Sequence, residues 1–261
     1  MKHIIEVKNL TWKYDKKTIL SDINLSIARG TLTGIIGPNG SGKTTLLKNI
    51  SSVLKPQRGS VFIEGKDILD YSARQLAQKM AFVPQNTNMD FDFTALDVVL
   101  MGRNPHLGRF QEESQEDIEI AQNAMRMTRT LEFQDRKITT LSGGERQRVI
   151  IARAIAQETD IILMDEPISN LDIRHQVDIL NLIQDLVQNH GKTIITVLHD
   201  LNLAAHFCEE VLLLKNGRIY SKGTPKEVLT PDTVKDVYEI KVKSLNPFSD
   251  DTPHLIPYLS K

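Results

Sequence analysis

The stretch Gly37-Pro38-Asn39-Gly40-Ser41-Gly42-Lys43-Thr44 matches G-x-x-x-x-G-K-[ST], the pattern of a phosphate-binding loop. Its glycines let the backbone curl so that successive N–H groups point at phosphate oxygens. Lys43 can reach the β- and γ-phosphates, and the Thr44 hydroxyl can bind Mg²⁺. The apolar residues 32–36 predict a buried strand before the loop, and Thr45 continues into a helix whose N-terminus attracts anions. A glycine-rich turn could match by chance, but strand, loop and helix together predict a nucleoside triphosphate site.

Length, charge and cysteine content favour a soluble intracellular chain with one large domain, or one domain carrying an insertion. The 261 residues carry a net charge of −1, so no global field draws the chain to nucleic acid or anionic lipid. Cys208 is the single cysteine and permits no internal disulfide, which suits a reducing cytosol. No apolar run approaches the roughly 20 residues of a membrane helix. Residues 1–6 lack the apolar core of a signal peptide.

Apolar patterning predicts an α/β core preceded by a partly exposed antiparallel sheet. Strands of that antiparallel sheet are predicted at residues 3–10 and 18–27, with a turn at 11–17 between them. Further strands are predicted at 32–36, 60–65, 80–83, 161–164, 194–198, 211–215 and 218–222. Helices are predicted at 45–50, 71–79, 94–101, 149–156 and 171–189. Asn216-Gly217 predicts a tight hairpin turn between the last two strands.

Residues 86–140 differ in character and predict a helical insertion into the core. Thr94 is a candidate N-cap, and an acidic stretch at 111–119 leads into another helix. Residues 241–261 carry no motif. We therefore expect a nucleotide-binding core made of residues 1–85 and 141–240, the insertion, and a C-terminal tail.

Polar side chains follow two further strands and lie where a ligand is expected. Gln85 follows the strand at 80–83, a position that can face a nucleotide or merely cap a loop. Asp165 and Glu166 end the strand at 161–164. Because neighbouring strand residues point to opposite sides, Asp165 can hold Mg²⁺ while Glu166 orients or deprotonates water. A structural acidic pair is the alternative for these two residues. Tyr14 can stack on a base or pack at a sheet edge.

A second candidate anion site lies at Leu141-Ser142-Gly143-Gly144-Glu145. Serine and two glycines precede a helix that is expected to begin near Arg146, so backbone N–H groups are exposed there. One nucleotide does not need both this element and the phosphate loop from the same chain. The sequence therefore predicts a dimer in which each nucleotide is shared between the loop of one chain and the Ser-Gly-Gly element of the other.

Together these motifs resemble the nucleotide-binding subunit of an ATP-binding-cassette (ABC) transporter. The resemblance rests on G-P-N-G-S-G-K-T, Gln85, L-S-G-G-E, I-I-L-M-D-E-P, S-N-L-D and His199, in the family's order and spacing. It implies an α/β P-loop NTPase fold, an ABC ATPase core with an N-terminal antiparallel β subdomain and an inserted helical subdomain. It also implies ATP and Mg²⁺ as ligands.

The resemblance assigns a role to each motif residue. It implies that Tyr14 stacks on adenine, that Glu166 is the catalytic base, and that His199 is a switch residue bonding the γ-phosphate. Residues 169–172 are implied to contact the other subunit. The implied nucleotide-binding residues are Tyr14, Gly37, Pro38, Asn39, Gly40, Ser41, Gly42, Lys43, Thr44, Thr45, Ser142, Gly143, Gly144, Glu145 and Asp172. The implied catalytic residues are Glu166, His199 and Gln85, and the implied Mg²⁺ ligands are Thr44, Gln85 and Asp165.

Two positions depart from the commonest family pattern. Glu145 stands where glutamine is commoner, and Ile168 stands where threonine is usual. Every implied catalytic position is present, so two identical sites in a homodimer are expected.

Residues 98–106 resemble the helical-domain sequence of ABC importers for iron(III)-siderophores, haem and cobalamin. The resemblance implies a homodimer on integral-membrane permease subunits, at the cytoplasmic face of the membrane, with no nucleic-acid partner. An extracytoplasmic substrate-binding protein would hold the compound. A soluble ABC ATPase acting on nucleic acid or ribosomes is the alternative, although such proteins usually carry two cassettes or a long coiled coil. A small-molecule kinase does not explain L-S-G-G-E or His199.

The insertion also carries apolar and basic side chains that would be unusual if exposed to water. We hypothesise that they form a groove for a short cytoplasmic helix of the permease, while packing of the insertion against its own helices is the alternative. The groove residues are Phe91, Phe93, Arg103, His106, Leu107 and Phe110.

Overall fold

A computed structural model describes residues 3–85, 92–109, 111–169, 171–245 and 252–258. The chain divides into two compact units. The first unit is Met1–Asp70 with Thr193–Lys261, and the second unit is Tyr71–Lys192. This division by compactness does not test the sequence-based domain boundaries, which stay a prediction.

Strands and helices alternate through most of the described chain. The strands are β1 (His3–Tyr14), β2 (Lys17–Ala28), β3 (Leu32–Ile36), β4 (Val61–Ile63), β5 (Lys66–Asp67), β6 (Met80–Val83), β7 (Ile161–Asp165), β8 (Thr193–Val197), β9 (Glu210–Lys215), β10 (Arg218–Gly223), β11 (Val242–Leu245) and β12 (His254–Pro257). The helices are α1 (Lys43–Ile50), α2 (Ala73–Ala77), α3 (Ala95–Leu100), α4 (Gln115–Met127), α5 (Gly143–Ala156), α6 (Ile173–Gln188), α7 (Leu201–Phe207), α8 (Pro225–Val228) and α9 (Pro231–Tyr238). Four short 3₁₀ segments join them at 68–70, 101–103, 131–133 and 138–140.

The first unit contains an antiparallel sheet with the strand order β2-β1-β4-β5. The predicted turn at residues 11–17 is wrong, because β1 continues to Tyr14 and only two residues separate it from β2. Trp12 pairs with Leu20, and Tyr14 with Lys17, so the hairpin ladder runs through the aromatic residues. Aromatic side chains favour such paired, half-buried strand positions, which outweighs the polar composition of this stretch.

A mixed sheet in the first unit carries the phosphate loop. Its strands lie in the order β10-β9-β3-β8, and β3 is parallel to both β8 and β9. All five residues of β3 and all five of β8 are buried, as expected for parallel strands covered on both faces. The hairpin turn is confirmed at Asn216 and Gly217, whose φ values of 50° and 74° fit a type I′ turn.

The second unit combines a parallel strand pair with packed helices. β6 and β7 run in parallel with Met80 opposite Ile161, and α5 packs against both α3 and α4. Thr94 caps α3 as predicted, since its side chain accepts a hydrogen bond from the Asp97 N–H at 3.1 Å. Among the residues that the structure describes, no helix has both the length and the apolar character needed to cross a membrane.

The side chain of Arg103 is buried inside the second unit, only 5% exposed. Its Nε donates to Asp117 Oδ1 at 2.9 Å, and one terminal nitrogen donates to Glu158 at 2.8 Å and to the carbonyl of Ala156 at 2.7 Å. This network joins the end of α3, the start of α4 and the end of α5. Burying a guanidinium is tolerated here because each contact is a charge-assisted or carbonyl hydrogen bond.

The hypothesised permease groove is therefore wrong for Arg103, which holds the insertion together from inside. Phe93 is 41% exposed and remains a surface residue. His106 is half-buried, with Nε2 3.0 Å from the carbonyl oxygen of Gln157. Phe91 and Phe110 lie outside the described residues.

The predicted C-terminal tail, in which the sequence shows no motif, contains a small antiparallel hairpin, β11–β12, in which Val242 pairs with Pro257. Helix α9 packs against β11, and α7 packs against β12. The sequence pattern did not predict this pairing because each strand is only four residues long.

Loss of Asp117 is expected to destabilise the second unit more than loss of Asp97, the corresponding capping residue of α3. Asp117 caps α4 through Ser114 and pairs with Arg103, whereas Asp97 caps α3 alone. Asp117→Ala should lower the free energy of unfolding by roughly 2–4 kcal/mol, because Arg103 loses its buried carboxylate partner and keeps the Ala156 carbonyl and the more exposed Glu158. Asp97→Ala should cost about 1 kcal/mol. Urea unfolding of both variants checks this, and equal losses would contradict it.

The stabilisation by Asp117 should also depend on pH. Hydrogen bonds from Ser114, and then from Arg103, lower the pKa of Asp117 from 3.8 to about 2. Because the pKa is lower in the folded chain than in the unfolded chain, the stabilisation is complete above about pH 4 and is lost as the pH falls towards 2. The difference in unfolding free energy between wild type and Asp117→Asn should therefore shrink below pH 4.

Candidate functional site

The phosphate loop connects the end of β3 to the start of α1 and depends on left-handed glycines. Gly37, Gly40 and Gly42 have φ values of 149°, 77° and 103°. A Cβ on Gly37 would lie 2.3 Å from the carbonyl oxygen of Leu214, so no larger residue fits there. Backbone of this shape exposes N–H groups towards a bound anion.

The Lys43 side chain is folded against the phosphate loop, where it is predicted to bind the β- and γ-phosphates. Its ammonium group donates to the carbonyl oxygens of Gly37 at 2.8 Å and Pro38 at 3.1 Å, and the residue is 6% exposed. Among the residues that the structure describes, the buried Ser41 hydroxyl has no hydrogen-bond partner. An ammonium group beside a buried, unpartnered hydroxyl suits a site for phosphate oxygens.

The remaining loop residues line the start of α1. Gly42 occupies the N-cap position, and no side chain caps the helix. Asn39 is exposed, whereas Thr44 and Thr45 are half-buried in the first turn. First-turn N–H groups that no side chain caps remain available to an anion.

Tyr14 lies at the tip of the β1–β2 hairpin and is 48% exposed. Its ring meets Trp12 edge-on, with centroids 6.3 Å apart. The same hairpin approaches the phosphate loop, since a Cβ on Gly42 would lie 2.7 Å from Leu20 and 3.2 Å from the carbonyl of Ile19. The exposed ring and this placement fit a base-stacking role, which stays a prediction.

His199 lies at the same edge of the mixed sheet as the phosphate loop. Ile35 of β3 pairs with Val197 of β8, so Gly37 and His199 stand two residues beyond a matched pair on neighbouring strands. His199 is exposed, so a ligand can reach its side chain. The structure thus brings His199, the phosphate loop and the Tyr14 hairpin together within the first unit.

In the second unit, Gln85 and Glu166 come together at the carboxyl ends of β6 and β7. Val83 pairs with Met164, and Gln85 Nε2 donates to Glu166 Oε2 at 2.6 Å. The sequence argument that strand alternation separates Glu166 from Asp165 is wrong in its premise, because β7 ends at Asp165. Glu166 has a φ of 51°, so a left-handed turn sets the direction of its side chain.

Asp165 is the buried member of the acidic pair, 2% exposed. Within the described ranges no three His, Cys, Asp or Glu side chains cluster as a metal site. The predicted ligands Thr44, Gln85 and Asp165 instead offer a hydroxyl, an amide oxygen and a carboxylate. These are hard oxygen donors that suit Mg²⁺, which usually keeps waters and phosphate oxygens as its other ligands.

The Ser-Gly-Gly element caps α5 and begins the helix at Gly143, earlier than the expected Arg146. Glu145 N–H donates to the Ser142 hydroxyl at 3.3 Å, and Ser142 N–H donates to the Glu145 carboxylate at 2.8 Å. Hydrogen bonds to the Glu145 carboxylate from the Ser142 side chain, and then from the Ser142 N–H, lower the pKa of Glu145. Glutamate and glutamine both serve in such a capping box, so Glu145 keeps the local geometry despite its departure from the family pattern.

Asp172 caps α6, and its neighbour His175 is a residue that the sequence analysis missed. The His175 Nδ1 lies 2.8 Å from Asp172 Oδ2. A Cβ on Gly144 would lie 3.2 Å from the His175 ring, so the ring packs directly on the Ser-Gly-Gly element. An Asp-x-x-His pair at a helix start was the available signal. Asn170 of the S-N-L-D motif lies outside the described residues.

Comparison with known proteins agrees with these motifs. The family model described as ABC transporter matches residues 20–169. The petrobactin import ATP-binding protein FpuD of Bacillus anthracis is 38% identical, over 99% of this chain and 94% of that protein. The cobalamin import ATP-binding protein BtuD of Halobacterium salinarum is 39% identical over 91% of this chain. The match spans only 59% of the length of that BtuD protein.

Solved structures agree in fold. A metal-chelate type ABC transporter in an inward-facing conformation matches with a TM-score of 0.86 and 28% identity, covering 98% of each chain. The dimeric ATP-binding cassette MJ0796 bound to ADP and Pi matches with a TM-score of 0.74 and 33% identity, over 85% of this chain and 98% of the other. The predicted α/β P-loop NTPase fold class is confirmed. With its phosphate loop and Ser-Gly-Gly helix cap in one chain, this protein belongs to the ABC transporter family.

Proposed function

We propose that this chain is the ATP-hydrolysing subunit of a binding-protein-dependent ABC importer for an iron(III)-siderophore, haem or cobalamin. The observation that carries the proposal is the likeness to import ATP-binding proteins along nearly the whole chain. Those relatives are named for petrobactin and cobalamin import, and the alternative of an ATPase acting on nucleic acid or ribosomes is not favoured.

Nucleotide binding is proposed to begin at the phosphate loop. Lys43 would exchange its two carbonyl contacts for phosphate oxygens, and the Ser41 hydroxyl would gain the partner that it lacks. The exchange is favourable because an ammonium binds an anionic oxygen more strongly than a neutral carbonyl. Tyr14 would stack on the adenine, and the phosphate contacts would set the orientation of the nucleotide in the site.

Hydrolysis is proposed to use Glu166 as the general base and Gln85 as its partner. The Gln85 amide donates to Glu166 Oε2 at 2.6 Å, and this bond would orient the carboxylate to accept a proton from water. The predicted Mg²⁺ ligands are Thr44, Gln85 and Asp165, and the ion would neutralise charge on the phosphate oxygens. His199 would donate to the γ-phosphate as its charge rises.

The Ser-Gly-Gly element is proposed to complete the site of a second copy of the chain. Ser142, Gly143 and Gly144 are anchored by the capping box and by His175, so their backbone is preorganised for an anion. We propose a homodimer at the cytoplasmic face of the membrane, bound to permease subunits. A separate substrate-binding protein would deliver the cargo.

Replacing Glu166 by glutamine tests the base. Glu166→Gln keeps the shape and an acceptor for Gln85, so ATP should still bind and should hold two chains together. Turnover should fall by 10²-fold or more, since general-base catalysis typically supplies about 10²–10⁴-fold. Steady-state ATPase assays and gel filtration with ATP measure the two effects.

Glu119→Gln is the matched control, because it makes the same change on an exposed position of α4. It should leave both readings unchanged. A Glu166→Gln protein that stays monomeric with ATP and hydrolyses at the wild-type rate would overturn the proposed function. Wild-type protein that copurifies with ribosomes or DNA rather than with an apolar membrane subunit would overturn the importer assignment.

His199→Ala is expected to lower kcat more than it raises KM. The imidazole would contact the γ-phosphate most strongly in the transition state, and losing one such contact typically costs about 10²–10³ in rate. His190→Ala, which removes an exposed histidine beyond α6, should change neither constant. If His199→Ala raises only KM, the side chain binds substrate without assisting the reaction.

A further inference from the structure

The two glycines of the Ser-Gly-Gly element have different surroundings. A Cβ built on Gly143 would meet no atom from another part of the described chain within 4 Å, whereas a Cβ on Gly144 would lie 3.2 Å from Cδ2 and 3.3 Å from Cγ of His175. Those two distances are shorter than the optimal separation of carbon atoms. One side of the element is therefore open, and its other side rests on an imidazole ring from α6.

Asp172 fixes the orientation of this ring. Its Oδ1 accepts from the His175 N–H at 3.0 Å, and its Oδ2 lies 2.8 Å from His175 Nδ1. The hydrogen bond from the His175 N–H, and then the one from the ring, lower the pKa of Asp172, so the group is a carboxylate at physiological pH. Because a carboxylate can only accept, Nδ1 carries the proton and donates. The ring that packs on Gly144 is thus held by a bond to its own helix cap.

The start of α6 is in turn tied to the turn that carries Glu166. The N–H and the hydroxyl of Ser169 both donate to the Glu166 carbonyl, at 3.2 and 3.0 Å. The side-chain amide of Gln176 donates to the carbonyl of Leu171 at 3.0 Å, and Gln176 follows His175 in the first turn of α6. The imidazole therefore belongs to a hydrogen-bonded frame that also holds the proposed catalytic base.

We propose that His175 is a positioning residue, which holds the Ser-Gly-Gly element of its own chain in place for the nucleotide bound by a second copy. The proposal rests on the proposed function, because it needs a nucleotide site shared between two chains. The capping box of Ser142 and Glu145 forms hydrogen bonds within the start of α5. The ring has a different task, since it sets where the start of α5 lies relative to α6.

The expected effect of removing the ring is a loss of preorganisation. Without the imidazole, the space beside Gly144 is empty, and the start of α5 can occupy more than one position. If the binding position falls from nearly all molecules to about one in ten, the ATP concentration needed to form the dimer rises about tenfold. Saturating ATP restores the binding position, so kcat is expected to stay within about twofold of wild type.

His175→Ala and His190→Ala form a matched pair for the test. Each removes an imidazole that lies next to an aspartate, Asp172 or Asp185, but His190 follows the opposite end of α6. In full-length protein carrying Glu166→Gln, gel filtration gives the ATP concentration at which half of the chains are dimeric. The Kd of the monomer for ADP is measured separately, and KM and kcat are measured with Glu166 intact.

We expect His175→Ala to raise the dimerising ATP concentration and KM about tenfold, with kcat kept. Its Kd for ADP should change by less than about twofold, because the monomer binds ADP through its own phosphate loop and the ring acts on the site of the other chain. His190→Ala should change all four values by less than about twofold.

Two further substitutions at the same position separate orientation from packing. His175→Asn places amide atoms where the ring has Nδ1 and Cδ2, so it can still donate to Asp172 and pack on Gly144. It should stay within about twofold of wild type. His175→Leu has the same branching but no donor, so it should raise the dimerising ATP concentration severalfold. Both variants keep much of the side-chain volume, which leaves the test in force if His175→Ala does not fold.

An unchanged ATP requirement in His175→Ala would overturn the proposal. Equal results for His175→Asn and His175→Leu would also overturn it, because the bond to Asp172 would then not hold the ring. So would an equal rise in the Kd for ADP, or a fall in kcat at unchanged KM, since either points to general damage to the chain. If the parent Glu166→Gln protein neither binds ADP nor dimerises with ATP, the proposed function itself is wrong.

Discussion

The lack of space for a side chain at Gly37 is the constraint on which the first unit depends. The carbonyl oxygen of Leu214 and the Ser41 hydroxyl occupy the volume that a Cβ would need. The loop must therefore turn sharply where β3 ends, and that turn brings the carbonyl of Gly37 to the Lys43 ammonium. The Lys43 ammonium, which is proposed to bind phosphate, is thus held in place by the backbone of the phosphate loop.

The register of the parallel strands positions the other candidate site residues. On β3 and β8 it sets His199 beside the phosphate loop, and on β6 and β7 it sets Gln85 beside Glu166. His199, Gln85 and Glu166 each lie one or two residues beyond a largely buried strand, where the backbone leaves the sheet and a polar side chain can reach a ligand. Short strands are enough to place these residues, because buried parallel pairing fixes the ends of the strands.

Helix capping supplies many of the polar contacts of the second unit, and at α5 it also shapes the candidate anion site. Four of its helices begin with the same reciprocal hydrogen bonds between an N-cap hydroxyl and an acid or amide three residues later. These pairs are Ser72 with Gln75, Thr94 with Asp97, Ser114 with Asp117, and Ser142 with Glu145. Only the last pair has glycines, Gly143 and Gly144, between its two members, which leaves N–H groups open to an anion while His175 packs on Gly144.

The sequence by itself determined the phosphate loop, the strand that leads into it, the Thr94 helix cap and the family, because each depends on neighbouring residues with a fixed period or spacing. Only the tertiary structure decided that Glu166 turns on a left-handed residue and that Arg103 is buried against Asp117. Those features join residues that are distant along the chain or override strand alternation. Local sequence patterns do not predict these contacts. Their partners are set by packing and by the need to satisfy buried polar groups in the folded chain.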